Sequence, residues 1–374
     1  MRFFAIGLCL SVFFSCLSSP GAPIGSVQSG NWESTVTWGG SLPGSSDDVT
    51  IGHTVTITAS GQKDIQSLVV NGTLRHSSNG TSDQSYRVDL NVSGDVTVNV
   101  GAYIDVNGRG YSGGYNNQNG YGTGKGYMAT GNGRCGGGAG HGGQGGPGKY
   151  DAGPGGSAGT IYGSVDEPST IGSGGGGAAS SGQPANAGEG GGAVKLQAQN
   201  VTVDGTIRAS GTDGNQGAAR AGGGGSGGSI WIAATGVLGG SGSIEAKGGA
   251  GQANSYGNSA GAGGGGRIAL YYASKTFDGT VTAQGGASAY RDGGAGAIYA
   301  KQGANAPDLL IDNFITSGMG GSAGTWVDNA VATTCNSITI ERYGILKHAS
   351  ETPMDIAVST LTIGQYGSLN VSSR

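Results

Sequence analysis

Apolar and polar residues alternate with a period of two through much of the chain. Near the start the alternation runs through DVTIGHTVTIT from Asp48, SLVVNGTLRH from Ser67 and YRVDLNVSGDVTVNVGAYIDV from Tyr86. Alternation of this kind predicts strands with one buried face and one solvated face. The runs are β-branched, and Asn-Gly and Ser-Gly pairs between them predict tight turns. No long stretch carries the spacing of a helix.

The alternation then recurs in paired phrases. Gly192 opens GAVKLQA and Gly205 opens GTIRASG. Gly228 opens GSIWIAA and Gly242 opens GSIEAKGG. Gly266 opens GRIALYY and Gly279 opens GTVTAQGG. The interval from first phrase to second is the same in the first and third copies and one position longer in the middle one. The copies themselves begin at near-equal intervals, at Gly192, Gly228 and Gly266. A partial fourth begins at Gly296, and an early candidate is GTIYGS at Gly159. Val194 and Leu196 share one face, as do Ile230 and Ile232. One copy cannot bury such a face alone, but stacked copies can, which is the logic of a solenoid. The last section echoes the first: SITIERYGILKHAS from Ser337 parallels SLVVNGTLRHSS, and LTIGQYGSLNVSSR parallels VTVNVGAYIDVNGR. The pattern predicts an all-β fold, a right-handed parallel β-helix or solenoid with long glycine-rich loops.

Composition sharpens this. Of 374 residues 84 are glycine, and 64 of these lie in residues 101–300. With 9 prolines and no Gly-X-Y period the chain is not collagen. The glycines are expected to turn corners at positive φ and to let backbones approach closely between rungs. A formal net charge of −4 with no Lys/Arg block excludes nucleic acid as the expected partner.

Met1-Arg2 precedes the apolar run FFAIGLCLSVFFSCL and the small-residue segment SSPGAPIG, which reads as a secretory signal peptide over residues 1–20. A lipid anchor at Cys16 is the alternative. No transmembrane segment is expected elsewhere. The chain is expected to be secreted, extracellular or at the cell surface. Cys135 and Cys335 remain after the leader, and an even pair in an oxidising compartment predicts a disulfide. Asn71, Asn79, Asn91, Asn200 and Asn370 head Asn-x-Ser/Thr sequons, where a glycoprotein carries its glycans. The expected organisation is a leader (1–20), an N-terminal β-helix cap and first rungs (21–110), a glycine/tyrosine-rich insertion (111–191), glycine-rich solenoid repeats (192–305) and C-terminal rungs resembling the first (306–374).

Residues 31–76 resemble the start of the eight-glycine domain family and related caps of bacterial surface β-helix proteins. The resemblance rests on Trp32, the Thr37-Trp38-Gly39-Gly40 group, Pro43, Asp47-Asp48-Val49 and the Gly72-Thr73-Leu74 turn. GGGGSGGSIWI is similar to the glycine-rich repeats of secreted adhesins. The resemblance implies a parallel β-helix and a role at the cell surface, and it transfers no catalytic residue. Residues 110–192 depart from an ordinary β-helix and suggest packed polyglycine-type helices, as in the glycine-rich ectodomain of some receptor kinases.

Chemistry-bearing candidates are few. GxGxxG matches arise by chance at this glycine content, and no Ser/Thr follows Lys125, so no nucleotide site or cofactor is expected. Gly140-His141-Gly142 resembles a phrase of β-helix pectin hydrolases, whose chemistry needs paired carboxylates that this neighbourhood lacks. GGSGSIEA lacks the Asp of calcium-binding nonapeptides. Asp47-Asp48 reads as a turn closure, with a calcium site as its alternative. His53, His76, His141 and His348 show no metal spacing, and His76 and His348 occupy equivalent repeat positions. Tyr111, Tyr115, Tyr121 and Tyr127 sit among small residues; they either shelter glycine backbone or stack on sugars or a neighbouring subunit. Trp32 and Trp38 read as cap core.

The expectation is therefore not an enzyme but a secreted structural protein that assembles with itself, head to tail, into a fibre, matrix or surface layer. A piece of a longer repeat protein is the plainer account of its ends. The alternative function is an adhesin or carbohydrate-binding module partnered by extracellular glycans.

Overall fold

The computed structural model describes residues 22–81, 85–129, 135–150, 153–178, 185–217, 220–253, 257–313, 324–326, 335–347, 356 and 358–370. Among these there is no α-helix; short strands dominate, and one 3-10 turn spans Thr35–Trp38. The strands form three large sheets. The first holds Ala22–Gly25, Asp47–Ile51, Ser67–Val70, Asp95–Val98, Asn200–Val203, Val237–Gly239 and Ser274–Lys275. The second holds Gly30–Asn31, Thr54–Ile57, Thr73–His76, Tyr103–Asp105, Thr206–Arg208, Ser243–Glu245 and Thr280–Thr282. The third runs from Lys63–Ile65 through Val88–Val92, Ala193–Ala198, Ser229–Ala234, Arg267–Tyr272 and Ala297–Gln302, then on to Asp308–Asp312, Ser337–Glu341 and Thr360–Ile363. Neighbours in these sheets are parallel, except that Ala297–Gln302 meets Asp308–Asp312 antiparallel.

The chain visits the sheets in rotation, and the period-two pattern explains why each circuit stacks on the last. In the first sheet Val49, Leu68, Val96, Val201 and Leu238 are successive partners. In the third, Val88, Val194, Ile230, Ile268 and Ile298 are. These columns belong to one buried cluster. Val194 pairs with Ile230 and Ile230 with Ile268, each two positions after its opening glycine, so the spacing of the repeats is the pairing register itself. Each circuit has three strands, one more than the repeat pattern displays. The additional strand, Asn200–Val203 or Val237–Gly239, lies between the two that the pattern marks. Residues 159–164 form no strand; Gly159 donates to Gly138 O and Tyr162 to His141 O, so the early copy expected at Gly159 is not a rung.

The glycine-rich segments form a second layer. Along residues 222–228 successive N–H groups donate in three directions by turns. Gly222, Gly225 and Gly228 donate to Asn215, Thr212 and Ala209. Gly223 and Ser226 donate to Gly176 and Ser173, and Gly224 and Gly227 to Gly261 and Gly264. Residues 136–140 follow the same rule: Gly136 and Ala139 reach Ala221 and Gly224, while Gly137 and Gly140 reach Tyr127 and Gly124. A repeat of three is the symmetry of a polyproline II-type extended helix. In this layer glycine serves close approach. A Cβ on Gly223 would fall inside the carbonyl of Gly137, and one on Gly136 inside that of Gly176. The runs 174–177, 222–228 and 261–266 contain no glycine at positive φ, so the expected corner role does not account for them.

At the N-terminal end Trp32 and Trp38 are buried edge to face with centroids 5.1 Å apart, and Trp38 Nε1 donates to Trp32 O at 2.7 Å. At the other end Ser337–Glu341 and Ile345–Lys347 are again two short strands in close succession, but Arg342 and Tyr343 between them are at positive φ, unlike Asn71 and Gly72 between Ser67–Val70 and Thr73–His76. Tyr343 and Tyr366, both at positive φ, stack at 4.6 Å with planes 2° apart.

Candidate functional site

The four tyrosines of the 111–127 segment do not form one platform. Tyr111 is buried with Ile171 and Ala193, and Tyr121 packs on that cluster. Tyr121 and the exposed Tyr115 line a cleft of about 330 Å³ together with Ser112, Gln118, Asn186 and Glu189. Tyr127 does not line it; its carbonyl receives the N–H of Gly137. Glycine backbone at Gly113 and Gly114 completes the wall. Asn186 Oδ1 is shielded from solvent and accepts no hydrogen bond. Desolvation raises the Glu189 carboxyl above its ordinary range, against the pull of Arg109. Reading the sequence missed Asn186, Gln118 and Glu189. The signal available was that Glu189 is the lone acid in residues 168–203.

A second polar group is wholly enclosed. His141 is buried, with Nδ1 2.8 Å from Gly227 O and Nε2 2.8 Å from Thr170 Oγ1. Its ring lies 4.6 Å from that of Tyr162. Burial, with Arg267 beside it, pushes the imidazole down to about 3. Arg267 is also buried; its Nε donates to Tyr162 O at 3.0 Å, and desolvation pulls its guanidinium down to about 10. Tyr162 Oη donates to Ile171 O at 2.6 Å, and burial raises its phenol. This network ties the glycine layer to the third sheet through Arg267.

His76 is likewise buried. Nδ1 faces Ser77 O at 2.6 Å while Nε2 accepts the N–H of Ala193 at 3.2 Å, and desolvation lowers the ring to about 4. His348 and the expected leader at residues 1–20 lie outside the described residues.

The expected disulfide is not formed. Cys135 packs with Ala221 and Ala260, whereas Cys335 packs in a separate cluster with Leu309 and Ile338. Burial, with Asp308 nearby, pushes the Cys335 thiol up to about 11. Among the sequons, Asn71, Asn91 and Asn370 are exposed and Asn200 is half-buried. Asn79 is buried, and its Nδ2 donates to Tyr86 O and Arg109 O. No helix among the described residues is long and apolar enough to cross a membrane.

The outermost strands form a further surface. Ile338 and Ile340 are buried, yet their partners Leu361 and Ile363 are 42% and 47% exposed. Tyr366, stacked on Tyr343 by one face, is 58% exposed. At the opposite end Ala22–Gly25, Gly30–Asn31 and Lys63–Ile65 are the edge strands of the three large sheets.

No family model, no curated protein and no solved structure matches this chain.

Proposed function

We propose that this chain is a secreted structural protein: a right-handed parallel β-helix backed by a bundle of polyglycine-type helices, which assembles head to tail into an extracellular fibre, matrix or surface layer. The observation that carries the reading is the outermost described strand of the third sheet, Thr360–Ile363. Leu361 and Ile363 stand in register with the buried Ile338 and Ile340 but face solvent. A strand edge with an apolar inner column invites another chain. A contact between unlike ends that does not close on itself generates a filament. The right hand follows from the strong preference of parallel crossovers, and the apolar run at residues 3–17 supports export.

The test uses the chain without residues 1–20. The wild type is expected to form fibres visible by electron microscopy. The doubly substituted Leu361→Lys, Ile363→Lys protein is expected to sediment as a monomer with an unchanged circular dichroism spectrum. A wild type that stays monomeric at high concentration would sink the reading.

A further inference from the structure

We propose that the cleft between Tyr115 and Tyr121 binds a neutral pyranose oligosaccharide. Its volume, about 330 Å³, lies at the lower end of the range of small-ligand sites. Two tyrosines, one exposed and one half-buried, line it. The negative face of an aromatic ring attracts the partly positive C–H face of a pyranose. Polar groups converge beside the rings: Asn186, Gln118, Ser112 and Glu189. A sugar presents donors and acceptors around an apolar ring face, which matches this lining.

The charge selects among sugars. Among the described residues Glu189 is the one carboxylate of the lining, and no lysine or arginine is among them. An acidic sugar would meet a carboxylate with no countercharge in the lining, whereas a neutral hydroxyl donates to it. The described lining, at Thr81, residues 112–121 and residues 186–189, shares no residue with the strand Thr360–Ile363 that carries the assembly reading. The two readings are therefore tested by different variants and fail separately.

The experiment titrates the chain lacking residues 1–20 by calorimetry with neutral hexasaccharides (gluco-, manno-, galacto- and xylo-configured) and with hexagalacturonate. At least one neutral ligand is expected to bind with a sub-millimolar Kd, and hexagalacturonate at least about tenfold more weakly. Tyr115→Ala, at an exposed side chain whose loss leaves the packing intact, is expected to weaken binding about tenfold, the scale of one aromatic contact. Gln118→Ala, also exposed, is expected to weaken it several-fold. Thermal melts of both variants check that the fold is kept. The proposal is overturned if no neutral sugar binds, if hexagalacturonate binds as well, or if Tyr115→Ala binds like the wild type. It is equally overturned if Tyr115→Ala abolishes fibres while no sugar binds the wild type, which would make the cleft a subunit contact.

Discussion

His76 and His141 are held neutral by their surroundings. Both rings are buried, and both ring nitrogens of each have a polar neighbour. Their folded values are depressed to about 4 and about 3, below the 6.5 of an unfolded chain. The unfolded state therefore takes protons first as pH falls. Their contribution is fully present above pH 6.5 and is lost as pH falls toward 4 and then 3. Each histidine costs about 1.4 kcal/mol per pH unit in that window. Melting temperatures recorded between pH 7.5 and 4.5 should fall steadily, and a His76→Gln, His141→Gln double variant should show a flatter dependence. Equal stability at both ends of the range would contradict the assignment. The buried state of His141 was not legible in its own Gly-His-Gly phrase, because its partners Thr170 and Gly227 are distant along the chain. His76 was easier, since it occupies a strand position repeated along the chain.

At the scale of elements, the repeating strands were legible because their side chains alternate. The intervals between Gly192, Gly228 and Gly266 became the register of the third sheet. The strands of the first sheet at Asn200–Val203 and Val237–Gly239 were missed because their sequences, NVTV and VLG, share no phrase that repeats from one copy to the next. The glycine layer was hidden for a different reason: its order resides in backbone donors, and glycine carries no side chain to report a period of three. That order makes a sharp prediction. Gly223→Ala should destabilise the fold by about 1–3 kcal/mol, the usual cost of forcing extra volume into a filled interior, since the added methyl meets the carbonyl of Gly137. Gly52→Ala, where the nearest atom is 4.0 Å away, should stay within about 0.5 kcal/mol of wild type. Chemical denaturation of both variants measures the contrast; equal effects would remove the close-packing account.

For the whole molecule, two layers of different chemistry lie side by side. One buries Ile, Leu and Val in stacked columns; the other is held by backbone hydrogen bonds among glycines. The last strands echo the first in sequence, yet Ser337–Glu341 joins the third sheet whereas Ser67–Val70 belongs to the first. The antiparallel junction at Ala297–Gln302 and Asp308–Asp312 was not visible, because strand direction leaves no trace in alternation. The tyrosine cleft was half visible: two of four tyrosines meet there, but Asn186 and Glu189 reach it from a segment far along the chain.

The glycine layer has a thermal consequence. Exposing apolar surface on unfolding raises the heat capacity, while exposing polar surface lowers it. A layer made almost wholly of backbone exposes mainly amides when it melts. Scanning calorimetry should therefore yield a heat-capacity increment per residue below the usual ~12–15 cal/mol/K. An increment in the ordinary range would contradict this. A small increment flattens the stability curve, so the protein should hold nearly constant stability over a wide span of temperature and resist unfolding in the cold as well as the heat.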